Sequence, residues 1–443
     1  MRTRSIILGV LWAIIYMFLV LTPLFVMLAA PRPTGRELWR DFSVSLGFIG
    51  LAMMALQFVL TARFKWLKTP YGSDLVYHFH RQISFVALIL ILSHPLLLFI
   101  FSPQTLDLLN IFNAPWRARF AVVAVLSLVA LMAFSVWRKK LKIDYYTWRI
   151  WHGVLSVVAV GAALVHVEMA GYYVSTPFKR ALWIIYAVFW VGLLLYTRFI
   201  KPWWLQRHPY RVVEVKEERG NTWTLTLEPV GHKGIKFHPG QFCWINVGSS
   251  PFSEKEHPFS ISSSAERAGK LSFTIKELGD FTRTIRHTKV GEKVYVDGAY
   301  GAFTTDRHDH AREFIFIAGG VGITPIMSIL RTMADRHEKR KLVLFYANRD
   351  WESITFREEL EELASQLDLM VIHVLEKPPL NWDGKSGFLN REMLEEIIPP
   401  ELPRNQVEVF LCGPPPMMRA VNRMIQEMGI WSGDFHYERF DLV

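Results

Sequence analysis

The sequence predicts a multi-domain membrane protein: a six-helix transmembrane bundle, then an antiparallel β-barrel, then an α/β domain built on a parallel sheet. Three observations lead there. Apolar residues concentrate before about residue 200 in six long stretches. Short alternating runs separated by Gly and Pro turns follow, from about 209 to 305. From about 312 onward, apolar strands alternate with helical patterns. The domain boundaries this implies are 1–205, 206–308 and 309–443.

A hydrocarbon core of about 30 Å needs about 20 helical residues. The stretches 5–30, 42–62, 79–101, 118–137, 147–169 and 181–200 meet that length. Arg2 and Arg4 give the first stretch the look of a signal peptide, but it is longer than a usual apolar signal core and has no convincing cleavage site before Pro31, so it reads as a helix. Basic residues crowd the second connection (Arg63, Lys65, Lys68, Arg81) and the fourth (Arg138, Lys139, Lys140, Lys142, Arg149), and they follow the sixth helix at Arg198, Lys201 and Arg207. The amino terminus and the carboxy-terminal half are therefore expected on the cytoplasmic side of a cell membrane, with Arg32, Arg36 and Arg40 of the first connection as the opposing evidence. The same flanking positions account for much of the net charge of +10, so nucleic acid is not an expected partner. The 2 cysteines, Cys243 and Cys412, both outside the apolar half, argue against a disulfide scaffold, a cysteine zinc site, an iron-sulfur cluster and a covalent c-type haem needing CxxCH. The chain contains no internal repeat, low-complexity tract or EF-hand loop, which leaves no calcium switch within it.

The third stretch contains HRQISFVALILILSH and the fifth WHGVLSVVAVGAALVH. His80 and His94 are fourteen positions apart, as are His152 and His166. Fourteen residues advance a helix by about 21 Å and return the side chain to within about 40° of its starting direction, so each helix carries two imidazoles on one face. Both helices run in the same direction, which sets His80 opposite His152 and His94 opposite His166. Each pair suits the two axial positions of one iron, giving an inner and an outer b-type haem between helices. Two levels about 21 Å apart cannot converge on one tetrahedral zinc. A lone membrane histidine is more often a proton-relay group, but two pairs at identical spacing favour haem. His78 points about 200° away from His80 and is left out. Arg81 and Arg149 at the inner level, and Arg117 or Arg119 at the outer, are candidates for haem propionates or simply interfacial charges.

The second half adds HPFSISSS (His257–Ser264), KELGDFT (Lys276–Thr282) and DGAYG (Asp297–Gly301) in the barrel. In the parallel-sheet region come FIFIAGG running into VGITPIMSIL, then LCGPPPMM (Leu411–Met418), then HYERF near the end. With the paired histidines, these segments resemble the ferric reductase and NADPH oxidase superfamily, and they occur in that family's order over nearly the entire chain. The resemblance implies a six-helix di-haem domain fused to a ferredoxin-reductase-like module with FAD and NADPH or NADH as cofactors. It implies that His257, Pro258, Phe259 and Ser260 cradle the isoalloxazine, with Ser260 able to bond near N5, and that Gly279, Phe281 and Thr282 meet the FAD pyrophosphate. Ala299 stands where the family usually has proline.

Gly320-x-Gly322-x-x-Pro325, preceded by Gly319, follows a predicted strand and opens a helix, as phosphate cradling requires; Thr324 is expected to cap that helix and Pro325 to sit in its first turn. The loop resembles the pyridine-nucleotide loop of ferredoxin reductases. By the same resemblance Cys412, followed by Gly413 and Pro414, stands near the nicotinamide C4, Phe440 covers the flavin and Glu438 lies beside it. Arg349, in YANRD, is placed to meet a 2′-phosphate, which favours NADPH over NADH. The expected activity is NAD(P)H oxidation with electron transfer through FAD and both haems to an acceptor outside. O2 giving superoxide is favoured; a ferric or cupric chelate, or an extracytoplasmic partner reductase for which the chain is an electron-delivery subunit, are the alternatives. Leu98 stands where animal NADPH oxidases often carry a further histidine, while Arg40 lies near the outer start of the second helix, where a cation would polarise oxygen.

Overall fold

Six apolar helices come first: α1 (Arg2–Ala29), α2 (Leu38–Thr61), α3 (Ser73–Phe101), α4 (Trp116–Trp137), α5 (Tyr145–Ala170) and α6 (Pro177–Leu195). The protein is described by a computed structural model covering residues 2–29, 37–64, 73–253, 255–267, 269–398, 406–429 and 435–438. The chain divides into two compact units, the helices through Pro202 and the remainder from Trp203. All six helices are long and apolar enough to cross a membrane. Large apolar side chains such as Phe18, Ile89, Leu126 and Val188 stay exposed on them, the pattern expected where lipid replaces water.

The first five helices are longer than their apolar stretches, while α6 ends at Leu195. α3 begins at Ser73 rather than 79, and α5 at Tyr145, where the Asp144 side chain accepts a 3.0 Å hydrogen bond from Thr147 N as a cap. Hydropathy marks the part of a helix that suits lipid, whereas helical hydrogen bonding continues through polar residues at the surface. After α6 the chain does not break at Pro202. A π turn at Tyr196–Ile200 leads into α7 (Lys201–Arg207), a relaxed ladder just ahead of a residue that lacks an N–H. Inside the bundle, α4 and α5 pack along most of their lengths. Met54 of α2 lies where three apolar clusters meet, one of them formed with Leu88 and Ile91 of α3 and Leu155 and Ala159 of α5.

The second unit starts with six antiparallel strands: β1 (Tyr210–Glu218), β2 (Thr222–Pro229), β3 (Phe242–Val247), β4 (His257–Ser260), β5 (Leu271–Lys276) and β6 (Lys293–Tyr300). Their order is β4-β3-β6-β1-β2-β5, and an antiparallel bridge between Ile261 and Phe273 brings the two edges together into the expected barrel. Val212, Leu225, Cys243, Ile245, Phe273 and Val294 fill its core, so Cys243 is accounted for as packing. A short helix α8 (Asp280–Thr284) follows β5.

A parallel sheet comes next, from β7 (Glu313–Gly319), α9 (Ile323–Asp335), β8 (Lys341–Asn348), α10 (Arg357–Gln366), β9 (Leu369–Leu375), β10 (Lys385–Ser386), α11 (Arg391–Glu395), β11 (Val407–Cys412), α12 (Pro415–Glu427) and β12 (Phe435–Glu438). The order is β10-β9-β8-β7-β11-β12. β7 shows why its run is continuously apolar: Phe314, Phe316 and Ala318 join the core that includes Ile326 and Leu330 of α9, while Ile315 and Ile317 join the core that includes Val421 and Ile425 of α12. The two-residue β10 carries no apolar run and was not expected from the sequence.

α9 ties this sheet to the barrel. Ser328 Oγ donates to Ser263 O at 2.8 Å, and Arg331 Nη1 donates to Ser262 O at 2.6 Å while its other nitrogens grip Glu359. The Thr332 hydroxyl accepts from Ala265 N at 2.9 Å. Barrel and parallel sheet are thereby fixed against one another through buried backbone groups that would otherwise lack partners.

Candidate cofactor-binding sites

The four membrane histidines are all half-buried, while His78 is exposed. At the first level the His80 and His152 ring centres are 6.3 Å apart. Two imidazoles bound in line to one metal ion, each through a bond of about 2 Å, place their ring centres about 6.4 Å apart. At the second level His94 and His166 lie within electrostatic range of each other. Midway between the histidines of each helix stands an alanine on the same face, Ala87 and Ala159, both buried. Leu88 and Ile91 of α3 pack in one apolar cluster with Leu155 and Ala159 of α5 between the two levels.

All four rings are held by Nδ1. His80 Nδ1 meets Gln57 Oε1 at 2.7 Å and His166 Nδ1 meets the Arg117 carbonyl at 2.8 Å, both of which are acceptors. His94 Nδ1 meets Ser43 Oγ at 3.0 Å, and that hydroxyl spends its proton on the His94 carbonyl at 2.8 Å. His152 Nδ1 meets Ser135 Oγ at 3.2 Å, whose proton goes to Leu131 O at 2.7 Å. Each Nδ1 therefore carries the hydrogen and each Nε2 keeps its lone pair. That is the tautomer a metal-ligating histidine needs, with the outer hydrogen bond fixing ring orientation. The set fits an iron held through Nε2 at each level.

None of Ser43, Gln57, Ser135 and the Arg117 carbonyl was singled out from the sequence. The available signal was a polar residue inside an apolar stretch, which Gln57, Ser43 and Ser135 provide; a backbone carbonyl leaves none. Of the arginines considered for propionates, Arg119 is already engaged: its Nε donates to Ala114 O at 2.8 Å and its Nη2 to Phe112 O at 2.9 Å. Arg40 lies within electrostatic range of His94, and Arg198 lies beside Gly153 and His152.

In the barrel, β4 carries His257, Pro258, Phe259 and Ser260, and the start of α8 is brought against it. The His257 and Phe281 rings stack with centres 3.7 Å apart and planes 15° apart. Ser260 Oγ is buried and has no hydrogen-bond partner among the described residues, a vacancy that a heteroaromatic nitrogen would fill. Gly279 is the N-cap of α8, and the Thr282 hydroxyl accepts from Leu278 N and Gly279 N, both at 2.8 Å. Those two N–H groups are thus already satisfied and not free for phosphate. The N–H groups of Asp280, Phe281 and Thr282 remain as the open end of α8.

In the parallel sheet the expected residues line up along the carboxy edge. Gly319 ends β7 in register with Ala347, two residues before Arg349, while Cys412 of β11 pairs with Ala318 on one side and Glu438 on the other. Strand order reverses between β7 and β11, the place where open α/β sheets bind ligands. The two loops touch: a Cβ on Gly322 would run into the Cys412 carbonyl, so only glycine allows this approach. Gly320 has φ +52°, the left-handed region that glycine adopts without strain. A Cβ on Gly319 would likewise run into Met417 and Pro414 of the loop and helix after β11.

Thr324 does not cap α9. Gly322 is the N-cap, and the Thr324 hydroxyl, two positions into the helix beyond the cap, instead donates to Val321 O at 2.7 Å. Pro325 lies in the first turn, as expected. Arg349 is exposed. Cys412 is fully buried, and burial, followed by the Glu438 carboxylate, pushes its thiol well above the usual range, so it is a neutral thiol at any physiological pH. Glu438 lies against Gly301 of the DGAYG loop, which joins this edge to the barrel. Phe440 lies outside the described residues.

The geometry agrees with comparisons to known proteins. Residues 46–163 match the family described as ferric reductase like transmembrane component, residues 220–305 an FAD-binding domain, and residues 316–423 an oxidoreductase NAD-binding domain. The glycine betaine monooxygenase reductase subunit of Pseudomonas aeruginosa is 32% identical over 257 residues, which span 55% of this chain and 68% of that protein. NADH-cytochrome b5 reductase 1 of Aspergillus terreus is 33% identical over 176 residues, 38% of this chain and 58% of that protein. The FAD/NAD binding domain of nitric oxide dioxygenase from Vibrio cholerae superposes with TM-score 0.46 and 23% identity, covering 52% of this chain and 98% of that one. A ferric-reductase-like membrane component, an FAD-binding domain and an NAD-binding domain thus follow one another in a single chain. The chain is a multi-pass membrane NAD(P)H oxidoreductase of ferric reductase/NADPH oxidase-like architecture, with a fused ferredoxin-reductase-type module.

Proposed function

We propose that the chain moves electrons from cytoplasmic NAD(P)H, with NADPH preferred, through FAD and two b-type haems to an extracytoplasmic one-electron acceptor, O2 being reduced to superoxide. The observation that carries this reading is the set of four imidazoles on two levels, each with Nδ1 occupied and Nε2 available. When bound, the nicotinamide supplies a hydride, the flavin turns it into single electrons, and the haems carry these between leaflets where no free ion crosses.

The residues divide the work among three sites within the proposed domains 1–205, 206–308 and 309–443. His80 and His152 ligate the inner iron, and His94 and His166 the outer. Gln57, Ser135, Ser43 and the Arg117 carbonyl keep the proton on Nδ1 so that every ring presents the same lone pair. His257, Pro258, Phe259 and Phe281 form the wall against the isoalloxazine, Ser260 donates toward N5, and Gly279 and Thr282 shape the turn that receives the pyrophosphate. Gly319, Gly320, Gly322, Thr324 and Pro325 let the nucleotide phosphates approach the opening of α9, with Gly413 and Pro414 closing the other side. Arg349 pairs with the 2′-phosphate. Cys412, held neutral, packs beside the nicotinamide without competing as a nucleophile; the role of covering the flavin is assigned by family resemblance to Phe440, with Glu438 beside it. At the outer level Arg40 places a cation near His94, which favours a small anion forming there. The positive-inside charge pattern supports a cytoplasmic amino terminus and cytoplasmic cofactor domains.

The test is anaerobic reduction of the purified protein with NADPH, followed by mixing with O2 or with a ferric chelate. The expected results are two b-type haems per chain, one lost in His152→Ala, and reoxidation by O2 with matching superoxide. Two intact haems in His152→Ala overturn the ligand assignment. Fast reoxidation by chelate and slow reoxidation by O2 makes the chain a chelate reductase. Slow turnover with both assigns it to delivery of electrons to a partner reductase.

A further inference from the structure

At the amino edge of the parallel sheet, opposite the nucleotide loops, lies a cluster of side chains that the electron path does not use. β11 enters the sheet through Glu408, whose side chain is 2% exposed. Two histidines from the segment joining β6 to β7 reach it: His308 Nδ1 and His310 Nε2 each lie 3.0 Å from Glu408 Oε1. On the far side, His436 Nε2 of β12 forms a 2.6 Å hydrogen bond with Glu408 Oε2.

A buried carboxylate can be satisfied by imidazole N–H donors or by a cation shared with the imidazoles, and the geometry separates the two. His436 makes a well-formed hydrogen bond. His308 Nδ1 is buried and 3.0 Å from Oε1, but the contact lacks the directed geometry of a hydrogen bond, and no other described group meets this nitrogen. Ligand atoms around an ion face the ion and not each other, which brings them close without hydrogen bonds between them. Donors about 2 Å from one tetrahedral ion lie about 3.3 Å apart. The two nitrogens are each 3.0 Å from Oε1, and the three atoms lie within 4.8 Å of one another.

We propose that His308, His310 and Glu408 form a binding site for a divalent transition cation of the zinc class, with His436 orienting the carboxylate through its second oxygen. Two imidazoles and one carboxylate are the donor set of borderline cations; calcium and magnesium need an all-oxygen shell, and copper(I) prefers sulfur. A hydrogen-bonded second oxygen is the usual support for a ligating carboxylate. Glu408 and Cys412 are four residues apart on one strand, about 13 Å, so the cation does not occupy the nicotinamide edge. Its effect is mechanical: it ties the barrel-to-sheet connection to β11, and through His436 to the strand that ends in Glu438.

The experiment uses the full-length holoprotein carrying a histidine-free affinity tag, stripped with EDTA, dialysed against Zn2+ and desalted, with zinc per chain read by mass spectrometry. One zinc per chain is expected, with at least a tenfold loss of affinity in His310→Ala and in Glu408→Gln and full retention in His287→Ala, an exposed histidine of the barrel. His310 is exposed, so its replacement leaves folding intact, and unchanged haem and FAD content checks this. No zinc on the unaltered chain, or zinc retained by His310→Ala, overturns the site; equal retention of Ca2+ overturns the ligand class.

Discussion

Replacing Gln57 by leucine removes the acceptor that holds His80 and keeps the volume of the side chain nearly unchanged. The Nδ1···Oε1 distance is 2.7 Å, short for such a bond. Against a reduced iron the imidazole N–H is an ordinary donor worth about 1 kcal/mol net, and against the more positive oxidised iron it moves into the charge-assisted range of about 1.5–3 kcal/mol. The bond thus favours the oxidised state by about 1 kcal/mol, or about 40 mV for a one-electron couple. Gln57→Leu is expected to raise the midpoint potential of the haem proposed between His80 and His152 by about 40 mV and leave the one proposed between His94 and His166 where it is. The stability cost is small for a buried site: His80 Nδ1 loses its partner at about 1–3 kcal/mol, but Gln57 Nε2, buried without a partner among the described residues, disappears with the substitution. A spectroscopic redox titration reads both potentials. Unchanged potentials with both haems bound, or a shift confined to the other haem, refute the reasoning.

Two further substitutions test the soluble sites. Ser260→Ala removes a buried hydroxyl without a partner, so the FAD-free protein should gain about 1 kcal/mol in a melting experiment while FAD affinity falls about tenfold; equal FAD affinity takes Ser260 out of the flavin site. Arg349→Ser should leave stability unchanged, because the side chain is exposed, and raise KM for NADPH about tenfold with little effect on NADH; parallel changes for both nucleotides exclude a role in reading the 2′-phosphate.

The four histidines were legible because their spacing is a property of one helix at a time. Fourteen residues fix a face and a height whatever the neighbours are. The apolar strands were legible for the same reason: YRVVEV and TWTLTLEP lie within β1 and β2, and EFIFIAG coincides with β7. Thr324 shows the limit. Its place near a helix start was read correctly, but whether it caps depends on where the preceding turn ends, and that turn is shaped by Gly322 pressed against Cys412 from another strand.

Periodicity, punctuation and charge placement thus determined by themselves the six spans, the barrel, the parallel sheet and the residue types available at each site, since these follow from local geometry and from the solvent each face must meet. Tertiary structure alone decided the pairings: Gln57 with His80, Ser135 with His152, the loop after β7 against the loop after β11, and His308 and His310 with Glu408. Such partners come from helices and strands far apart in sequence, and they meet because burying a polar group is tolerated only where some other element supplies its complement.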